Sequence, residues 1–301
     1  MRVMMTGGTG MIGAPLAKRL LEKGHEIRIL TRRRRRDNSM PRVKFIEWDG
    51  KTLGEWSEQI DQVDAIINLA GENIGATRWS NTRKNLIRDS RIKAGEILTQ
   101  AIGNASAHPK VFIQASAIGF YGTIDKGLLT EKSPPGDDFL AEISKKWEQS
   151  CFGVESMGIR RVIIRTGVVL SKQEGALSRM LLPFKFFFGG PLGSGKQMVS
   201  WIHLEDEISA ICFLLENENA RGIYNLTSPE SVTNAELGKW IGRITHRPYW
   251  LPAPGFALRL LLGEMSTLVL DGQSVIPERL LESGFQFKFD KISDALSDLL
   301  V

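Results

Sequence analysis

The chain is poor in the residues that metal and disulfide chemistry need. Two cysteines in 301 residues, Cys151 and Cys212, give neither a disulfide framework nor a metal-ligand spacing, and so few suit a reducing compartment. The four histidines, His25, His108, His203 and His246, are too scattered for a metal site, and no metal is expected. No apolar run is long enough for a signal peptide or a bilayer span; "FALRLLLGEM" (256–265) is short and interrupted by Arg259. Tyrosine is scarcest of the aromatics, with three: Tyr121, Tyr224 and Tyr249. Charge of one sign is also nearly absent as a general feature. The five arginines 32–36 account for the whole excess of 39 basic over 34 acidic residues. A nucleic-acid-binding face would need basic residues spread over a surface with aromatics between them, and no such pattern is seen. The expectation is a cytoplasmic protein with no membrane or nucleic-acid partner.

What is present is a regular alternation. "RVMMT" (2–6), "EIRIL" (26–30), "KFIEW" (44–48), "AIINLA" (65–70), "VFIQAS" (111–116) and "RVIIRTGVVL" (161–170) read as strands. Amphipathic segments such as "MIGAPLAKRLLEKG" and "NTRKNLIRDSRIKAGEILTQAI" lie between them. Strands that are apolar throughout, alternating with helices, predict an α/β fold: a doubly wound, Rossmann-type parallel sheet covered on both faces. Beyond residue 170 the pattern changes to Gly- and aromatic-rich loops and separate helices, "TNAELGKWIGRIT" (233–245) among them. The expected division is a cofactor-binding domain over 1–170, with some later segments returning to it, and a smaller substrate lobe over 171–301.

"MMTGGTGMIG" places Gly7, Gly10 and Gly13 between the first strand and the first helix. Glycines there permit a tight turn and let backbone approach a pyrophosphate, which the helix N-terminus then binds through free N–H groups. A glycine-rich turn without a ligand is the plainer alternative. The second strand ends roughly 20 residues past the glycines, where a dinucleotide fold meets the adenosine ribose. An acid there would hold the two hydroxyls of NAD. Here stand Thr31 and Arg32, with no acid before Asp37. Arginine can give a 2′-phosphate paired, charge-assisted hydrogen bonds of about 1.5–3 kcal/mol each. The reading is NADP(H), with Arg32 first and Arg33 second; Arg34–Arg36 are a solvated run. RNA binding by the run is the rival reading.

The glycine spacing, "NLAGE" (68–72), "QASAIGFYG" (114–122) and "WIHLEDEISAI" (201–211) together resemble the extended branch of the short-chain dehydrogenase/reductase superfamily. "NLAGENI", "RW" (78–79), "DSR" (89–91), "GGPLGSGKQ" and the C-terminal 258–289 make the likeness more particular, to its atypical epimerase-family proteins of poorly known substrate. That resemblance implies an NADP(H)-dependent oxidoreductase or isomerase acting on an unidentified small molecule. It implies cofactor contacts at Gly7, Thr9, Gly10, Met11, Ile12, Gly13, Thr31, Arg32, Arg33, Leu69, Ala70, Gly71, Arg91 and Val168. Arg91 takes the place of the superfamily's helix asparagine, and a cofactor anion or a nearby acid would offset its charge. A homodimer and an anionic substrate, met by Lys196, are further expectations.

The likeness breaks at the catalytic pair. It implies a serine, a tyrosine acid/base and a lysine four residues later. Ala141 stands four before Lys145 and Glu142 four before Lys146, and no tyrosine has a lysine at that spacing. Ser116 remains, one residue further from Tyr121 than in the enzymes it resembles. The candidate proton donors are therefore Ser116, Tyr121 and Glu142, the last needing a raised pKa. The alternative function is a catalytically inactive NADP(H)-binding sensor or scaffold. "GPLGSGKQ" lacks the Ser/Thr and the strand–helix context of a nucleotide-hydrolase phosphate loop, and reads as a loop over the cleft. His203 and Asp206 read as the structural start of a helix.

Overall fold

The computed structural model describes residues 1–32, 42–123 and 127–301. Seven strands form one sheet: β1 (Arg2–Thr6), β2 (Glu26–Thr31), β3 (Val43–Glu47), β4 (Ala65–Asn68), β5 (Val111–Ala117), β6 (Arg160–Thr166) and β7 (Gly222–Leu226). Their order is β7-β6-β5-β4-β1-β2-β3, every pairing parallel. The order reverses between β1 and β4, the crevice where open α/β sheets bind ligands beyond the strands' C-terminal ends.

The two faces are sorted by the two-residue period of a strand. Val3, Met5, Ile27, Ile29, Ala65, Ile67, Ile113, Val162 and Ile164 enter one core. Met4, Leu30, Ile66, Phe112 and Ile163, interleaved with them, enter the other. The first core is covered by α1 (Gly13–Glu22), which buries Gly13, Leu16, Ala17 and Leu20 at helical spacing, and by α5 (Leu204–Glu216). The second is covered by α2 (Asn81–Gly103) and by the short 3-10 helices Glu55–Gln62 and Phe152–Met157, which carry Trp56 and Val154.

The sequence pattern did not reveal β7, the short "GIYNL", which extends the sheet past β6. The long stretch read as one strand over 161–170 is two. Gly167 breaks it, and Val168–Leu170 leaves the sheet to pair with Trp201–His203. Segments 204–226 thus pack on and extend the main sheet. The smaller lobe is built from α4 (Gly175–Lys185), α6 (Asn234–Ile244), α7 (Gly255–Leu262) and the C-terminal helix Ile292–Leu300. α6 begins with a capping box, Thr233 and Glu236 satisfying each other's backbone N–H. Arg160, buried, donates to the carbonyls of Leu214, Leu215 and Ala220 and so closes the end of α5.

Candidate active site

A polar ladder crosses the C-terminal ends of the central strands. Thr6 Oγ1 donates to Asn68 Oδ1 at 2.5 Å, Asn68 Nδ2 to Gln114 Oε1 at 2.9 Å, and all three are buried. The ladder pins β1, β4 and β5 in register under the crevice. Ala70 N–H donates back to Thr6 Oγ1, drawing the Leu69–Gly71 loop over the glycine loop.

The three glycines do different work. Gly7 has φ +65°, and a Cβ there would lie 2.6 Å from Leu69 O. A Cβ on Gly13 would lie 2.2 Å from Gly7 O. Gly10 is exposed, its Cβ meeting only Gly7 O at 3.4 Å. The first and third glycines let backbone pack on backbone; the middle one keeps space open above the loop. α1 carries no side-chain cap and no acid in its first turn; Ala14 N–H donates to Gly10 O at 2.9 Å and Pro15 has no N–H, so of the first three helical residues Gly13 is the one whose N–H is left to an anion. Thr9 and Gly10 lie exposed on the loop, while Met11 and Ile12 pack partly on the core below. Thr31 ends β2, its carbonyl accepting Trp48 N–H, and Arg32 follows it exposed; Arg33 lies outside the described residues.

Arg91 forms no ion pair among the described residues. It donates to the carbonyls of Glu72 and Ile87 at 3.0 Å each and stacks over the Trp147 ring at 5.0 Å, and burial pushes its pKa down to about 10. Its guanidinium lies against Gly71, 3.1 Å from where a Cβ would stand. It therefore holds the loop backbone and pairs with no nearby acid among the described residues. Val168, half-buried, is tied by its N–H to Ser200 O at the floor of the crevice.

α3 (Phe139–Gln149) carries the positions where the superfamily's pair would stand. Ala141, Lys145 and Glu148 share one face of it; Ala141 is fully buried, and Lys145 is half-buried with no hydrogen-bond or ion-pair partner among the described residues. Ser116 Oγ donates to Glu148 Oε1 at 2.6 Å. Arg165 grips the same carboxylate with two bonds, Nε to Oε1 at 2.8 Å and Nη2 to Oε2 at 2.9 Å, and lies 3.3 Å from the Phe120 ring centre. Arg165 Nη1 also donates to Tyr121 Oη at 3.0 Å, and Tyr121 Oη donates to Asn225 Oδ1 at 2.7 Å.

Two of the expected proton donors meet environments unlike those expected. Glu142 is exposed and accepts from Lys146 Nζ at 2.6 Å, one helical turn on. That ammonium holds its carboxyl below the usual range, the reverse of the raised value the expectation required. Tyr121 is fully buried with its hydroxyl satisfied on both sides, and burial raises its pKa rather than lowering it. Ser116, also buried, spends its one hydrogen on Glu148 and keeps only acceptor capacity. Sequence reading missed Glu148, Arg165 and Asn225. The one legible signal was an arginine inside the apolar run "RVIIRT", which must find an acid if the strand is central.

Glu207 was missed too. It is fully buried on α5, accepts from Thr166 Oγ1 at 2.8 Å, and its other oxygen has no partner among the described residues. Burial pushes its pKa up to about 8 from 4.5. The folded protein thus favours the neutral acid, a contribution fully present below about 4.5 and lost as pH rises to about 8. Chemical denaturation should show stability falling across that window, and Glu207→Gln should remove at least about 1.4 kcal/mol of the fall, the worth of one pKa unit. An identical pH profile for the variant would show that Glu207 does not titrate in the folded protein.

The sequence profile of the NAD dependent epimerase/dehydratase family matches residues 3–227, and that of a domain of unknown function, DUF1731, matches 253–299. The chain is 41% identical to the epimerase family protein SDR39U1 homolog, chloroplastic, of Arabidopsis thaliana, over all of this chain and 87% of that one. It is 40% identical to the epimerase family protein YfhF of Bacillus subtilis, over all of this chain and 98% of that one. The crystal structure of the human epimerase family protein SDR39U1 with NADPH superposes with a TM-score of 0.90 at 33% identity, covering 99% of each chain. The UDP-glucuronic acid 4-epimerase of Bacillus cereus, TM-score 0.80 at 17% identity over 99% of this chain and 98% of that one, shares the fold.

Proposed function

The chain belongs to the NAD dependent epimerase/dehydratase family, and from that premise we propose that it is an NADP(H)-binding, epimerase-like oxidoreductase of the cytoplasm acting on a small molecule. The observation that carries the reading is the uncapped start of α1 beneath Gly10, whose open side leaves room for a pyrophosphate. The human relative crystallised with NADPH supports the choice of cofactor. When bound, the nicotinamide would supply hydride transfer. Around it, Gly7 and Gly13 shape the loop, Arg91 fixes the Gly71–Glu72 backbone, and Arg32 with Arg33 would hold the 2′-phosphate. Lys145, without a partner among the described residues, would be free to hold a ribose hydroxyl.

The test is cofactor preference. NADPH should bind at least tenfold tighter than NADH, about 1.4 kcal/mol. Arg32→Ala with Arg33→Ala should erase most of that difference and leave NADH binding nearly unchanged. Equal titration curves for the two cofactors with the parent protein would end the reading.

A second reading, a catalytically silent NADP(H) sensor or scaffold, is favoured by one observation: Ala141 fills the tyrosine's place and the nearest phenol, Tyr121, is committed to Asn225. Positioned acid–base help contributes about 10²–10⁴ in rate, so epimerisation of UDP-glucose should run at least about a hundredfold below an ordinary family member. Steady-state turnover in the ordinary range of about 1–10³ s⁻¹ would show that another group replaces the tyrosine fully.

A further inference from the structure

The smaller lobe exposes an unusual amount of apolar surface. Phe186, Phe187 and Phe188 follow the end of α4, and Trp250 and Leu251 lie beside them, Trp250 Nε1 donating to Phe187 O at 3.0 Å. The two segments run on together, Gly189 bridging to Tyr249 and Leu192 to Ala253, and the second continues as α7. That helix buries no residue at all; Phe256, Leu260 and Leu261 are 75%, 78% and 72% exposed. Scattered apolar residues on a surface are ordinary, but eight large ones on two joined segments are an interaction surface.

The segments that carry it are rich in charge of one sign, and Glu264, just beyond α7, is paired with Lys84. Residues 175–204 and 237–263 contain no Asp or Glu, and they carry Arg179, Lys185 and Lys196 in the first and Lys239, Arg243, Arg247 and Arg259 in the second. Arg247 lies over the Phe187 ring at 4.4 Å. Lys185 directly precedes Phe186–Phe188 and Arg259 directly precedes Leu260, and both are exposed. A second copy of the chain is a poor occupant. A twofold interface would set the patch against itself, seven cations of these segments against seven, with Glu264 beside α7 already paired with Lys84. The composition, aromatic and aliphatic side chains ringed by Lys and Arg with a tryptophan among them, suits the headgroup layer of an anionic bilayer. No helix among the described residues is long and apolar enough to cross a membrane, so the contact is with a surface.

We propose that the 186–188, 250–251 and α7 surface docks the protein on an anionic lipid surface. This revises the expectation of no membrane partner, which rested on the lack of a spanning segment. The apolar side chains enter the headgroup region while the cations meet lipid phosphates.

Vesicle sedimentation tests it, with phosphatidylcholine vesicles and with phosphatidylcholine mixed with phosphatidylglycerol. The full-length protein should bind the mixed vesicles and bind the neutral ones far more weakly. Phe256→Ser, Leu260→Ser and Leu261→Ser together should weaken binding at least about tenfold, and Lys185→Glu with Arg259→Glu about fivefold or more per charge. These side chains are exposed, so thermal melting should be unchanged. The triple variant retains the arginine run of residues 32–36. Equal binding by parent and triple variant would therefore assign any affinity to that run and overturn the proposal. So would failure of the parent to bind either vesicle, binding to polyglutamate in preference to vesicles, or a parent dimer that the triple variant dissociates in the absence of lipid.

Discussion

Gly10→Val is expected to weaken NADPH binding at least about a hundredfold, close to 3 kcal/mol, while melting at the parent temperature. The separation follows from what surrounds each glycine. A Cβ on Gly10 meets only Gly7 O, at 3.4 Å, so the folded loop can hold a side chain there. The added methyls then project into the space above the loop, where the pyrophosphate must approach the start of α1. Gly13→Val is the contrasting case. Its Cβ would sit 2.2 Å from Gly7 O and 2.7 Å from Gly8 Cα, so it should lower the melting temperature as well as affinity. NADPH fluorescence titration and thermal melting of both variants check this. A folded Gly10→Val protein that binds NADPH like the parent would place the cofactor elsewhere.

That contrast marks how far the sequence can be read. Strand–glycine loop–helix is a local pattern, and its meaning survives because the loop's shape depends on few neighbours. Six of the seven sheet strands were legible: β1, β4 and β5 are buried along nearly all their length and so largely apolar whichever strands flank them, while β2 and edge strand β3 keep short apolar stretches between charged residues. β7 was not. Its five residues include Asn225, whose side chain is there to accept Tyr121 Oη and to donate to Ile276 O, partners 104 and 51 positions away. Which glycine is open and which is packed was equally illegible, because Leu69 O and Gly7 O decide it. α7 misleads in the other direction. A helix of "GFALRLLL" would ordinarily be read as core, yet none of its residues is buried.

The candidate catalytic region was the least legible part, and the group that organises it was not among the candidates. Glu148 receives Ser116 Oγ and both arms of Arg165, whose side chain is only 2% exposed. Glu148→Ala should therefore destabilise the protein by about 3–5 kcal/mol, because it leaves a buried guanidinium without its anion. The Phe120 ring, 3.3 Å from that guanidinium, cannot replace a carboxylate that accepts two of its hydrogen bonds. Glu148→Gln keeps the shape and one acceptor and should cost less. Arg165→Met with Glu148→Leu removes both charges and should recover most of the loss, since a buried pair is often replaceable by apolar groups of similar volume. The non-additivity of the single and double changes in urea denaturation is the measure of the pair. A Glu148→Ala cost below about 1 kcal/mol would be the value of a solvated ion pair, not a buried one. NADPH affinity should hardly move in any variant that folds, since the glycine loop lies at the start of α1 and this pair lies between α3 and β6. If the charge pair is structural in this way, Ser116 is held as an acceptor by a carboxylate that cannot leave, and it can receive a hydroxyl from a ligand but not donate to a carbonyl.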